Sequence, residues 1–157
     1  MATVNVTVTN VRAYSNNDAI RYRVSFKEQI DAIVKKDDGT YAPGVVDYID
    51  FVPRVLIAQS IAHVDGLAYI YCKRKEQGLR NGDSAGFTAA DLTLIVAGAT
   101  FELKRTKFAA GEEYVNADGE IVGTHDHDGY NTNIVGITLS EKAQARIDKV
   151  LEKALGL

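Results

Sequence analysis

The sequence predicts a mostly-β (α+β) single domain. Three observations carry that expectation. Apolar and polar residues alternate over Thr3–Tyr14, Ala19–Phe26 and several later runs, and a period of two marks a half-buried strand. Helical features are confined to a stretch opened by Pro53, a short one before Gly98, and the run from Lys142 to Leu155. The 157 residues, 46% hydrophobic and 25% charged, suit one domain with its own apolar core.

In the first run Val4, Val6 and Val8 share one face, and Thr3, Asn5, Thr7 and Thr9 the other. Ser15-Asn16-Asn17-Asp18 supplies turn chemistry. The next run places Ile20, Tyr22, Val24 and Phe26 opposite Arg21, Arg23 and Ser25, so the two strands form a hairpin. Ile30–Val34 extends the sheet, the Asp38-Gly39 pair reverses the chain, and Val45–Phe51 returns as a strand. This pair reads as an inserted or extended hairpin.

Pro53 suits a first helical turn, where its missing N–H has no partner to lose. The apolar residues from Pro53 to Ala62 are too continuous to separate a helix from a buried strand, and the helix is the preferred expectation. Leu67–Lys73 alternates as a third major strand ending in Lys73-Arg74-Lys75, and glycine-rich 76–86 is a loop. Thr88 followed by Asp91 has the form of a helix start, giving a helix over Ala89–Val96 that stops at Gly98. Strands follow at Thr100–Phe108 and Asn131–Thr138. The polar loop between them pairs Glu112–Val115 with Glu120–Thr124 across Asn116-Ala117-Asp118-Gly119. Thr138-Leu139-Ser140-Glu141 then caps the last helix, expected over 139–155 and packed on the sheet. Its Ala143, Ile147, Val150, Leu151 and Ala154 recur at helical spacing.

The resulting order, strands with a helix between the third and fourth major ones, resembles the oligonucleotide-binding (OB) fold. The expected architecture is a modified OB-like five-stranded barrel with an inserted hairpin and a C-terminal helix; an α+β sheet with helices on one face is the alternative.

Function is less legible. The net charge of −3 disfavours strong duplex binding, which calls for a basic domain, but leaves room for a local basic groove. Cys72 stands alone, so neither a disulfide nor a cysteine-based zinc site is expected. The opening residues lack a signal peptide's basic and apolar regions, and no run of apolar residues is long enough to span a membrane. The expected compartment is the cytoplasm. There is no Gly-x-Ser-x-Gly elbow, no Cys–His pattern and no phosphate loop, so neither enzymatic activity nor a cofactor is expected. His125-Asp126-His127-Asp128 resembles part of the His-x-His-x-Asp-His element of metallo-β-lactamase-like hydrolases. Gly129 and Tyr130 follow Asp128, the final histidine is missing, and no metal is expected.

Single-stranded nucleic acid is the leading partner, since a basic groove that tracks phosphates and aromatic faces that stack on bases are its recognition chemistry. The candidates are Arg21 and Arg23 on the second strand, Tyr69, Tyr71, Lys73, Arg74 and Lys75 on the third, and Lys104, Arg105 and Lys107 on the fourth. Parity puts Arg105 and Lys107 on the Phe101 side unless a bulge follows Lys104.

The run from Gly98 to Thr106, followed by Gly111-Glu112-Glu113-Tyr114, resembles the fourth and fifth strands of bacteriophage-type single-stranded-DNA-binding OB proteins, over about a third of the chain. The resemblance implies single-stranded DNA as the ligand, and a bacterial host's cytoplasm as the setting if the chain is phage-encoded. The insertion at 30–64 and the acidic balance depart from a minimal OB domain. The second expectation is a viral or other assembly subunit, a homo-oligomer that uses the hairpins at 30–50 and 108–130 for subunit contacts.

Overall fold

The computed structural model describes residues 3–16, 19–68, 89–115 and 118–155. Their order is β1 (Thr3–Asn16), β2 (Ala19–Lys35), β3 (Tyr41–Phe51), α1 (Pro53–His63), α2 (Ala89–Val96), β4 (Thr100–Phe108), β5 (Glu113–Val115), β6 (Ile121–Thr124), β7 (Gly129–Thr138) and α3 (Glu141–Leu155). The protein is mostly β. Five strands form one antiparallel sheet in the order β3-β2-β1-β4-β7, and β5 and β6 form a separate two-stranded ribbon.

β1 holds the sheet together by changing partners along its length. Thr3–Thr7 pairs with β4, and Val8–Asn16 pairs with β2. A one-residue bulge between Val8 and Asn10 marks the change. It shifts the parity, so Val6, Val8 and then Val11 are all buried. The N–H of Thr7 at this junction donates to Glu28 Oε1 (2.6 Å), and its hydroxyl to Glu28 Oε2 (2.9 Å). A second irregularity interrupts the β2–β3 ladder. Pairing runs Ser25↔Tyr48 and resumes at Ile30↔Val46, leaving exposed Lys27, Glu28 and Gln29 out of register.

The β2–β3 pair is therefore a continuous hairpin of the main sheet: Ile30–Val34 extends the sheet as expected, and of the two forms the sequence allowed the hairpin is extended and not inserted. β3 is the third strand. Leu67 and Ala68 are helical, so the strand expected at 67–73 does not begin there, and its remainder lies outside the described residues. Among the described residues the five-stranded sheet does not close into a barrel. One edge strand, β7, is instead met by α1, whose Gln59 Oε1 accepts the N–H of Ile134 (2.9 Å).

α1 begins at Pro53, as expected, and buries Leu56, Ile57 and Ser60; the Ser60 hydroxyl donates to Leu56 O (2.7 Å). α2 is pinned to the β1 bulge by Thr93. Its Oγ1 accepts the N–H of Val11 and lies 2.9 Å from the carbonyl oxygens of both Val11 and Ala89, one of which takes its proton. Gly98, at φ 81°, makes the turn into β4. α3 is capped by Ser140, whose Oγ accepts the Ala143 N–H (3.1 Å), two residues later than the Thr138 box predicted. Ala143 and Ile147 are buried, and Arg146 reaches back to Leu94 O on α2 (2.5 Å). One core joins β1, β2, β3, β4 and β7 to α1, α2 and α3, with Phe101, Leu56, Leu92 and Leu103 among its most enclosed side chains.

Candidate nucleic-acid interface

The outward face of β1, β2 and β3 gathers arginine and tyrosine. In the β1–β2 ladder Arg12 lies opposite Arg23, and Tyr14 opposite Arg21. In the β2–β3 ladder Arg23 lies opposite Asp50, and Tyr48 opposite Ser25. The residues between them, Val11, Tyr22, Val24 and Phe51, are buried, and strand alternation turns their neighbours outward.

Arg23 is the centre of this face. Its Nε and Nη2 donate to the two Asp50 oxygens at 2.8 and 3.2 Å. Its guanidinium carbon lies 4.0 Å from the Tyr48 ring centroid and 4.6 Å from that of Tyr14, within cation–π range. The Tyr14 hydroxyl donates to Asp50 Oδ2 (2.6 Å). That bond holds the Tyr14 pKa above its usual value, with desolvation adding to the shift. Asp50 likewise raises the pKa of Arg23, so the guanidinium stays charged. About a quarter of each side chain of the ion pair remains exposed, 26% for Arg23 and 27% for Asp50. Asp50 thus bonds both Arg23 and Tyr14, and the Arg23 guanidinium lies against both rings.

The other predicted residues divide. Arg21 and Arg23 are on this face. Tyr69, Tyr71, Lys73, Arg74 and Lys75 lie outside the described residues. Lys104, Arg105 and Lys107 are elsewhere. Lys104 pairs with Thr3 at the opposite end of β1 from Arg12, up to about 30 Å along an extended strand. Strand β4 keeps its register from Leu103 to Phe108, and the bulge falls at Val135 of the partner strand. Arg105 therefore shares the core side of β4 with Phe101 and Leu103, facing Thr132, while Lys107 faces Tyr130. The basic residues do not form one surface.

Sequence reasoning missed Arg12, Tyr14, Tyr48 and Asp50. Alternation already placed Arg12 and Tyr14 on one side of β1, but their meeting with Arg23 and Tyr48 depends on the register of two ladders.

The distal ends of the two long hairpins meet each other. Tyr41 of β3 stacks on His127 (centroids 3.9 Å apart, planes at 12°). Phe108 stacks on His125 (3.7 Å, 19°), with Tyr114 tilted beside it. Arg105 donates to the Asp31 carbonyl and to Thr132 Oγ1 (3.1 Å), and covers the Tyr130 ring at 4.3 Å. The two imidazoles lie against aromatic rings, and His127 Nδ1 is 2.7 Å from Asp128 O. Among the described residues, no group of three or more histidine, cysteine or acidic side chains could hold a metal ion. Among the same residues, no helix is long and apolar enough to cross a membrane. Comparison with models of known families, with curated proteins and with solved structures finds no match to this chain.

Proposed function

We propose that the protein binds single-stranded nucleic acid, DNA in the first instance, on the outward face of β1, β2 and β3, without any chemical step. The observation that carries the reading is the Tyr14–Arg23–Tyr48 stack, flanked by Arg12 and Arg21. Guanidiniums offer phosphate contacts and the rings offer stacking faces, the two requirements of sequence-tolerant strand binding. The strand order supports it too. A three-stranded meander whose first strand also pairs with the fourth, with a hairpin of β4 and β7 beside it, is compatible with the strand order of an OB-like barrel. OB barrels use the face of strands 2 and 3 for oligonucleotides. The resemblance of the β4 sequence to phage-type single-stranded-DNA-binding proteins favours DNA.

The test is fluorescence anisotropy with a labelled strand of about 30 nucleotides, long enough for more than one OB site, with duplex as control. Micromolar or tighter binding that favours the single strand and weakens with salt is the expected result. Absence of binding at low salt overturns the reading.

One observation favours the second reading, an assembly subunit. The β5–β6 ribbon exposes Val115 (58%), Ile121 (64%) and Val122 (52%) at its tip, as a contact surface between subunits would. Light scattering decides it: concentration-dependent oligomers that Ile121→Ser disrupts support it, and a monomer at every concentration removes it.

A further inference from the structure

Where the β2 hairpin leans over the β4–β7 hairpin there is a cleft of about 400 Å³, lined by Val4, Gln29, Ile30, Asp31, Arg105 and Tyr130. We propose that this cleft is a phosphate subsite, with the Arg105 guanidinium as its anchor.

Arg105 occupies a core-side position that follows Phe101 and Leu103, so its charge is carried partly out of water. Burying a cation is unfavourable unless it is paired. No carboxylate among the described residues lies within ion-pair distance of it. Its neighbours are instead neutral. Thr132 Oγ1 takes the Nε proton, the Asp31 carbonyl takes one from Nη1, and Tyr130 supports the plane. These contacts fix the guanidinium and leave Nη2 without a hydrogen-bond partner among the described residues. Desolvation accordingly lowers the Arg105 pKa, and Tyr130 and then the Asp31 carboxylate offset this through space. A fixed, planar, half-buried guanidinium without a counter-ion matches a tetrahedral oxyanion, which it can hold with charge-assisted bonds. The bulge residue Gln29 is exposed and also lines the cleft, and its amide is a second potential donor to the oxyanion. The site is separate from the arginine–tyrosine face and does not rest on that reading.

The phosphate can belong to a free nucleotide or to a strand's backbone, and three titrants separate these sources. Orthophosphate, thymidine 5′-monophosphate and an oligothymidylate without terminal phosphate are titrated into the ¹⁵N-labelled protein at constant ionic strength set by chloride. The Arg105 Nε–Hε resonance is the reporter. A saturable shift with millimolar or tighter Kd is expected from at least one titrant. A response to the monophosphates alone makes this a small-molecule site; a response to the oligonucleotide identifies a backbone contact.

Arg105→Gln should weaken binding about tenfold or more, followed through the Tyr130 and Thr132 amides. Because Arg105 also ties the two hairpins together, two exposed positions give the independent test. Gln29→Glu, which adds a negative charge, should weaken binding about threefold or more. Asp31→Asn, which removes one, should strengthen it. Shifts no larger than chloride produces, or Gln29→Glu and Asp31→Asn variants both within about twofold of the parent, would overturn the proposal.

Discussion

At the residue scale, Arg23 and Tyr48 carry the functional reading. Asp50 fixes Arg23 from the side through two hydrogen bonds, and the two tyrosines hold its plane. Stacking of a base on an aromatic side chain contributes about 1–3 kcal/mol. Tyr48→Ala should therefore weaken single-strand affinity by about 5- to 150-fold, read by anisotropy, with the melting temperature as a check on folding. An unchanged affinity would remove Tyr48 from the interface.

Glu28 offers a test of a different kind. Its carboxylate accepts from the Thr7 N–H and hydroxyl, and these bonds lower its pKa. A carboxylate with a depressed folded-state pKa stabilises the fold above its unfolded-state pKa, and that contribution is lost as the pH falls through the folded value. Glu28→Gln should thus destabilise the protein slightly at neutral pH, by less than about 1 kcal/mol because solvent screens the site. The difference from the parent should vanish in acid, below the usual carboxylate range. Denaturant melts at pH 7 and pH 3 measure it.

At the element scale, local signals that stayed local were legible. Pro53 opens α1, Gly98 closes α2, and Ala143 and Ile147 of α3 and Phe101 and Leu103 of β4 are buried as their spacing predicts. The continuity of β2 is not legible because Lys27, Glu28 and Gln29 interrupt the alternation. That interruption is a register shift within one strand, yet in sequence it looks like a strand's end. The sequence pattern consequently leaves the third strand at Leu67–Lys73, whereas Leu67 and Ala68 are helical. The candidate site was only partly legible for a related reason. Arg21 and Arg23 follow from the parity of β2 alone, whereas Tyr14, Tyr48 and Asp50 join them only through cross-strand pairing.

The β4–β7 hairpin has its own test. A Cβ at Gly129 would lie 2.4 Å from Phe108 Cζ, so Gly129→Ala must push the Phe108 ring off His125. A cost of about 1–3 kcal/mol is expected, as for other overpacked sites. The His125 ring signals should move as well. A variant with unchanged stability and unchanged His125 signals would show that the stack adapts freely.

At the scale of the whole molecule, the chain carries a net charge of −3, so any attraction for nucleic acid must come from where its charges sit. Arg12, Arg21 and Arg23 share one face, far along β1 from Lys104. If those arginines meet about three phosphates, log K against log salt should have a slope near −2 for a single strand. Replacing all three by glutamine should bring the slope close to zero. A steep slope that survives the triple substitution would place the contacts elsewhere, on the β4 cations among others.

The outward face of β1, β2 and β3 is the central claim, and amide chemical-shift mapping with an unlabelled single strand tests it most directly. The expected result is a cluster of perturbed amides at Arg12, Tyr14, Arg21, Arg23, Tyr48 and Asp50, with the β5–β6 ribbon unmoved. Perturbations confined to that ribbon, or none at saturating oligonucleotide, would contradict it.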